Sequence, residues 1–397
     1  MKMISIAPKE IYQTQQFIDD GTMMSEDEQR LITDEHIKLI GQYPTNQTEK
    51  LSRPSSISTR SEDYLAHINK VIDFWLNKPG PVSEIGFSTV LVEINNFLFT
   101  RNQVLFQGDE LILMLELNRR NERYLFGSEY FSSADFKSEV ILTPRTNRFL
   151  VVSAGSANWG HFLVDELPRI VRYVGSREEE KEFDFVFTSQ NVLLDQNKNE
   201  IIQLLFPHIT VGCTFLSKEV VYRIESAHYI SPITFHPFYK NSTFLQGVRS
   251  QYQIQMQSLN VNRKKIFCLR REESRSLSDV LIEELRIIFE PLGFIFYYPA
   301  ENSVKNQLAL FADAEVIIGL MGAGMCNTIF SSVGTKLIYI APEGWSEPFF
   351  WTLANSLGHE YHVFYSQTTG LHAEPEKNSM VFSPKEFFET YQNIVTC

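Results

Sequence analysis

The sequence predicts an α/β protein with two Rossmann-like domains facing a cleft. Three observations support this. Short apolar strands alternate with helical segments in two successive blocks, a polar joint near 259–264 separates the blocks, and 397 residues are too many for one small core. Apolar strands with helices between them belong to parallel sheets covered on both faces. The expected division is an N-terminal extension over 1–84, a first domain with entry β-strands over 85–262, a second domain over 263–380, and a terminal helix over 381–397. That last helix is expected to pack back across the first domain.

Residues 1 to 80 are polar, and "QYPTNQTEKLSRPSSISTRSE" gathers turn formers and charges, which suggests an irregular or helical extension. "DYLAHINKVIDFWL" places Leu65, Ile68, Val71, Ile72 and Trp75 at helical spacing, and "KPGP" stops it. "STVLVEI", "NFLFT", "ELILMLEL" and "EVILT" read as strands of a small sheet. The first alternating block then runs "RFLVVSA", a helix from 157, "FDFVFTS", "DQNKNEIIQLLF", "VVYRIESAHYIS" and "FLQGVRSQYQIQMQSL". The second runs "KIFCLR", "LSDVLIEELRIIFEPLG", "FIFYYPA", "VKNQLALFADA", "EVIIGL", a glycine-rich turn, "KLIYIA", "PFFWTLANSLG" and "EYHVFY". Ser276, three residues before Asp279, has the spacing of a capping box.

Composition narrows the function. Hydrophobic residues make up 43% and charged residues 21%, as in a folded chain, and the net charge of −12 disfavours nucleic acid or broad contact with an anionic membrane. Cys213, Cys268, Cys326 and Cys397 lie far apart without zinc spacing, so reduced thiols are expected. The sequence shows no apolar signal core and no membrane-length apolar run, which suggests a cytoplasmic protein, with peripheral membrane contact left open. Asn46 and Asn241 match glycosylation acceptors and are read as ordinary polar loop residues.

Two segments carry chemistry. "EVIIGLMGAGMCNTIFSS" is a strand, a turn with Gly319, Gly322 and Gly324, and a short helix. At a strand's carboxyl end such a turn can bring backbone N–H groups to a phosphate, or it can be a tight packing turn without a ligand. Its G-x-x-G-x-G spacing differs from the dinucleotide G-x-G-x-x-G, which leaves a nicotinamide-dependent oxidoreductase a weak alternative. Arg270, Arg271 and Arg275 follow the first strand of the same block, where guanidinium forks suit a diphosphate; Glu272 and Glu273 could instead neutralise them.

The other segment is "SANWGHFLVDELPRI". As a helix it sets His161, Asp165, Arg169 and Arg172 beside an apolar stripe, but Pro168 cannot donate to Val164. The helix must kink near 164–168 or restart with Pro168 in its first turn. Either outcome leaves His161, Asp165 and Glu166 at an irregular point where a base could face a cleft. The alternative is a capped helix start with Asp165 paired to Arg169. "PITFHPFYKNSTF" offers rings to stack on sugars or to pack inward.

"NWGHFLVDELPRI" resembles the N-x-x-H-F-x-x-[DE]-x-L-P-R segment of glycosyltransferase family 61, and "LRREESR", "LALFADAEVIIG" and "GLMGAGMCNTIF" resemble later motifs of that family in the right order. The resemblance covers about 150–345. It implies a GT-B arrangement, a nucleotide diphosphate sugar donor on the second domain, and inverting transfer to a glycan or glycolipid hydroxyl, with no bound cofactor. By position, Arg270 and Arg275 would hold the diphosphate, and Gly322, Ala323, Gly324 and Asn327 would border the donor. Asp165 is the first expected base, His161 the second and Glu166 the third, with His161 and Asp165 pointing toward 322–327. Asn158, Arg169, Arg271 and Met321 are further cleft candidates. The family's His before Gly-Ala-Gly is Met321 here, which fits an altered donor or a catalytically inactive relative. No D-x-D motif appears, and "DAE" at 313–315 reads as a helix-to-strand junction, so no metal is expected.

Overall fold

The computed structural model describes residues 2–5, 37–43, 51–77, 89–100, 103–106, 111–114, 139–152, 158–189, 191–217, 219–235, 239–256, 263–271, 275–345, 347–369 and 378–396. The chain is mixed α/β and divides into two compact units, Met1–Glu49 with Pro79–Gly247, and Lys50–Lys78 with Val248–Cys397. Asn46, Glu272, Glu273 and Cys397 lie outside the described residues; Cys213, Cys268 and Cys326 are not joined in disulfides.

The first unit is built on a mixed sheet. Its parallel half places Val221–Ile230, Arg148–Val151, Glu182–Thr188 and Thr210–Leu216 side by side. The chain steps through helices from 148–151 to 210–216 and then returns to the other side of 148–151. Strand order therefore reverses beside the Arg148–Val151 strand, the position where open α/β sheets bind ligands. The antiparallel half rests on Thr89–Thr100, which has Val221–Ile230 on one edge and Ile37–Tyr43 and Gln103–Phe106 on the other. Val92, Ile94, Phe97 and Phe99 pack with Leu150, Val186, Ile224 and Tyr229 into one core.

The second unit has a parallel sheet in the order Phe294–Tyr297, Lys264–Cys268, Ala314–Leu320, Lys336–Pro342, Glu360–Thr369. Here the reversal lies between Lys264–Cys268 and Ala314–Leu320. The last parallel strand carries Ser56–Thr59 along 362–365 and Ser379–Val381 along 367–369.

Four expectations change. Residues 1–84 are not a separate extension, because 2–5 and 37–43 are strands of the first sheet while 56–59 covers an edge of the second. The Trp351 indole N–H donates to the Ser52 carbonyl at 2.8 Å and Arg60 pairs with Glu386, fastening that segment. The unit boundary falls at 247, inside the continuous Ser242–Met256 helix, rather than at 262. Its buried Arg249 donates to the carbonyls of Ser331 and Leu357, each at 3.1 Å, and so belongs with the second unit.

The terminal helix Pro384–Val395, expected to pack back on the first domain, belongs to the core of the second unit. Its stripe of Phe387, Tyr391 and Val395 is buried with Leu285 and Phe289 of the Asp279–Phe289 helix. Finally, Ser278 rather than Ser276 caps that helix, accepting from the Leu281 N–H at 3.2 Å, because the helix begins at Asp279. No described helix is long and apolar enough to cross a membrane.

Candidate active site

A helical run covers 159–175, and its middle, Phe162–Glu166, is a π turn in which the Leu167 amide donates to the Phe162 carbonyl. Pro168 accounts for it. Without an N–H the proline cannot bond to Val164, and a widened turn moves its ring clear of that carbonyl, leaving Pro168 in the first turn of Leu167–Gly175. Asn158 is exposed and caps the run, its side chain accepting from the Gly160 N–H at 2.7 Å.

The π turn divides two neighbouring carboxylates between different partners. Asp165 Oδ2 lies 2.7 Å from His161 Nδ1, and Asp165 Oδ1 accepts from the Thr234 hydroxyl at 2.6 Å. Asp165 and Thr234 are buried, while the His161 side chain keeps 14% exposure. An ionised carboxylate only accepts, so the Nδ1 atom of a neutral His161 carries the proton and Nε2 the lone pair. Glu166 is drawn the other way. Its carboxylate meets the Lys198 ammonium at 2.8 Å in a buried pair, with that ammonium 5.1 Å from the ring centroids of both Phe162 and Phe187. Glu166 is thus a packing anchor rather than a base open to an acceptor.

Arg169 sets the position of this cluster. Its Nε donates to the Asp165 carbonyl at 2.8 Å and its Nη1 to the Ile230 carbonyl at 3.2 Å, while Nη2 donates to the Val152 carbonyl. One buried guanidinium therefore ties the π turn to the carboxyl ends of both strands at the reversal of strand order. In place of the alternative pairing of the two side chains, Arg169 bonds to the Asp165 backbone carbonyl. Thr234 lies in a short ribbon with Thr234–Phe235 against Tyr239–Lys240, and 236–238 of the aromatic segment lie outside the described residues. Asn241 is buried and accepts from the Phe244 N–H at 3.3 Å, as a helix cap.

In the second unit, Arg270 and the Gly322 turn follow the two strands that flank the reversal. Arg270 Nη1 donates to the Met321 carbonyl at 3.3 Å, bridging them. The glycines divide by role. A Cβ on Gly319 would stand 2.0 Å from Met325 Sδ and one on Gly324 2.9 Å from Pro299 Cγ, so both admit packing neighbours. A Cβ on Gly322 would stand 3.0 Å from Arg270 Nη1, so of these three glycines it is the one whose nearest neighbour is a candidate anion-binding side chain. Ala323 begins the short 3₁₀ helix Ala323–Phe330.

The remaining donor candidates separate. Asn327 is fully buried, donating to Gln307 Oε1 at 3.1 Å and the Gly324 carbonyl at 2.9 Å, which makes it a lock on the turn. Met321 is buried as well. Arg271 is exposed and pairs with Glu301 at 2.6 Å, with its guanidinium 3.8 Å from the Tyr298 ring centroid. Arg275 holds a left-handed backbone (φ 55°) and stacks its guanidinium 4.6 Å from the Trp345 ring centroid. Asp313 closes the Val304–Ala312 helix, as the junction reading of "DAE" expects. Among the described residues no group of three or more His, Cys, Asp or Glu is gathered to hold a metal ion.

Sequence reasoning missed Thr234, Lys198 and Trp345. Each reaches its partner from a different element, and no spacing within one segment signals it.

The family described as Glycosyltransferase 61 matches residues 159–338, a span that opens beside His161 and closes after the Gly322 turn. No curated protein matches the chain. Among solved structures, a similar chain is the glycosyl transferase family 9 protein from Veillonella parvula DSM 2008. It is 10% identical with a TM-score of 0.27, over 58% of this chain and 78% of that one.

Proposed function

From the match of residues 159–338 to glycosyltransferase family 61 we propose an inverting transferase that moves a sugar from a nucleotide diphosphate sugar to a hydroxyl of a glycan or glycolipid, in surface polysaccharide synthesis. The observation that carries the mechanism is the 2.7 Å contact between His161 Nδ1 and Asp165 Oδ2. It favours His161 as the base and Asp165 as its orienting partner, reversing the order expected from sequence. Nε2 of His161 takes the acceptor proton while the hydroxyl oxygen bonds to the anomeric carbon. The bond from that carbon to the diphosphate breaks on the opposite face, and Arg270 beside Gly322 supplies fixed positive charge to the leaving group.

The test is a panel of uridine, guanosine and cytidine diphosphate sugars, scored for release of nucleoside diphosphate. Wild type should turn over one of them, His161→Ala should be about 10²–10⁴-fold slower, and Arg270→Ala should bind it less tightly. Unchanged turnover in His161→Ala would overturn the base assignment. Met321, buried where the family carries a His, favours a second reading as a binding relative without turnover. Tight donor binding with no release would select that reading, and stabilisation by NAD alone would select the oxidoreductase.

A further inference from the structure

We infer that Thr234 is a positioning residue that fixes the tautomer of His161 through Asp165, an inference that rests on the reading of His161 as the base. Asp165 is a buried carboxylate, and each of its oxygens has a defined partner: Oδ2 faces His161 Nδ1 at 2.7 Å and Oδ1 accepts the Thr234 hydroxyl at 2.6 Å. Thr234 is itself buried and comes from outside the π turn, just beyond the Val221–Ile230 strand. Arg169 fixes the Asp165 backbone, its Nε donating to the Asp165 carbonyl oxygen, whereas the Thr234 hydroxyl bears on the carboxylate itself. The hydroxyl therefore sets the rotation of the carboxyl group about its last bond. That rotation decides whether Oδ2 lies in line with Nδ1.

Removing the hydroxyl leaves a buried carboxylate oxygen without this donor. A buried carboxylate that loses one donor turns toward the partners that remain. That turn ends the alignment that keeps the proton on Nδ1, and the Nε2 atom loses its assured lone pair. The predicted order is Thr234, Asp165, His161, with the first never touching the acceptor.

The experiment reads the imidazole directly and needs no substrate. Nitrogen-15 NMR of the full-length protein at neutral pH, with the His161 signal assigned from His161→Gln, reports which ring nitrogen carries the proton. Wild type and Thr234→Ser should show the Nδ1–H tautomer. Thr234→Val should lose it, and Thr234→Ala, which removes the hydroxyl while leaving space, should lose it too and serves if the valine does not fold. An Nδ1–H tautomer retained in a folded Thr234→Val or Thr234→Ala would overturn the inference, as would its loss in Thr234→Ser. This failure is distinct from failure of the base assignment, which the turnover of His161→Ala decides separately.

Discussion

Lys198 and Glu166 meet at 2.8 Å with side chains only 2% and 1% exposed, so two charges are held away from water by each other and by the rings of Phe162 and Phe187. Such a pair adds little net stability over apolar packing, yet losing one partner strands the other. Lys198→Met should therefore destabilise the protein by about 3–5 kcal/mol, while Lys198→Met with Glu166→Leu should recover most of that loss. Urea unfolding of the single and double variants measures both. A double variant as unstable as Lys198→Met would show that the charge is not what matters.

His359 gives stability a pH dependence. Its ring is buried, its Nε2–H donates to the Thr328 carbonyl at 3.0 Å, and burial, with the nearby Arg249, pushes its pKa down from 6.5 to about 4. Between those values the unfolded chain binds a proton that the native chain refuses, so stability is full above pH 6.5 and falls as the pH drops toward 4. The total from this one residue is about 3 kcal/mol. Unfolding free energies of wild type and His359→Gln at pH 7 and pH 4.5 should diverge, with the shallower fall in His359→Gln. Parallel curves would refute the assignment.

The glycine turn allows fold and ligand effects to be separated. Gly319→Ala drives a Cβ into Met325 and should lose about 1–3 kcal/mol, and adding Met325→Ala should cost less than the sum of the two single changes. Gly322→Ala crowds the flexible end of Arg270 and otherwise makes an ordinary 3.8 Å contact with the Leu320 carbonyl, so it should leave stability within about 0.5 kcal/mol but displace Arg270 and weaken donor binding. Thermal unfolding and donor titration together make the distinction. Equal stability loss at both positions would place Gly322 with the packing glycines.

These cases show how far the sequence could be read. Pro168 lacks an N–H wherever it sits, so the irregular point in the helix was legible, and the alternation of strands and helices marked the parallel half of the first sheet and the parallel sheet of the second. The partners of the site were not legible. Lys198 reaches Glu166 from the next helix and Thr234 reaches Asp165 across 69 positions, contacts that depend on strand order rather than spacing. Gly319 and Gly322 look alike in sequence because each needs the absence of a Cβ; only the neighbour, Met325 or Arg270, tells packing from an anion site. "SIST" was too short to read as a strand until the edge it covers was known.

Asp165→Asn tests the dyad most sharply. The amide can still accept the Thr234 hydroxyl with its oxygen, which turns its NH₂ toward His161. An N–H donor there requires Nδ1 to accept, so the ring proton moves to Nε2 and the imidazole can no longer take a proton from the acceptor. Asp165→Asn should lower kcat by about 10²–10⁴-fold with little change in KM. Because both residues act as one unit, His161→Ala combined with Asp165→Asn should be no slower than His161→Ala alone. Steady-state rates with the donor selected from the nucleotide-sugar panel provide the comparison. Wild-type kcat in Asp165→Asn would show that the His161–Asp165 contact is structural, and multiplying losses in the double variant would show that the two residues act separately.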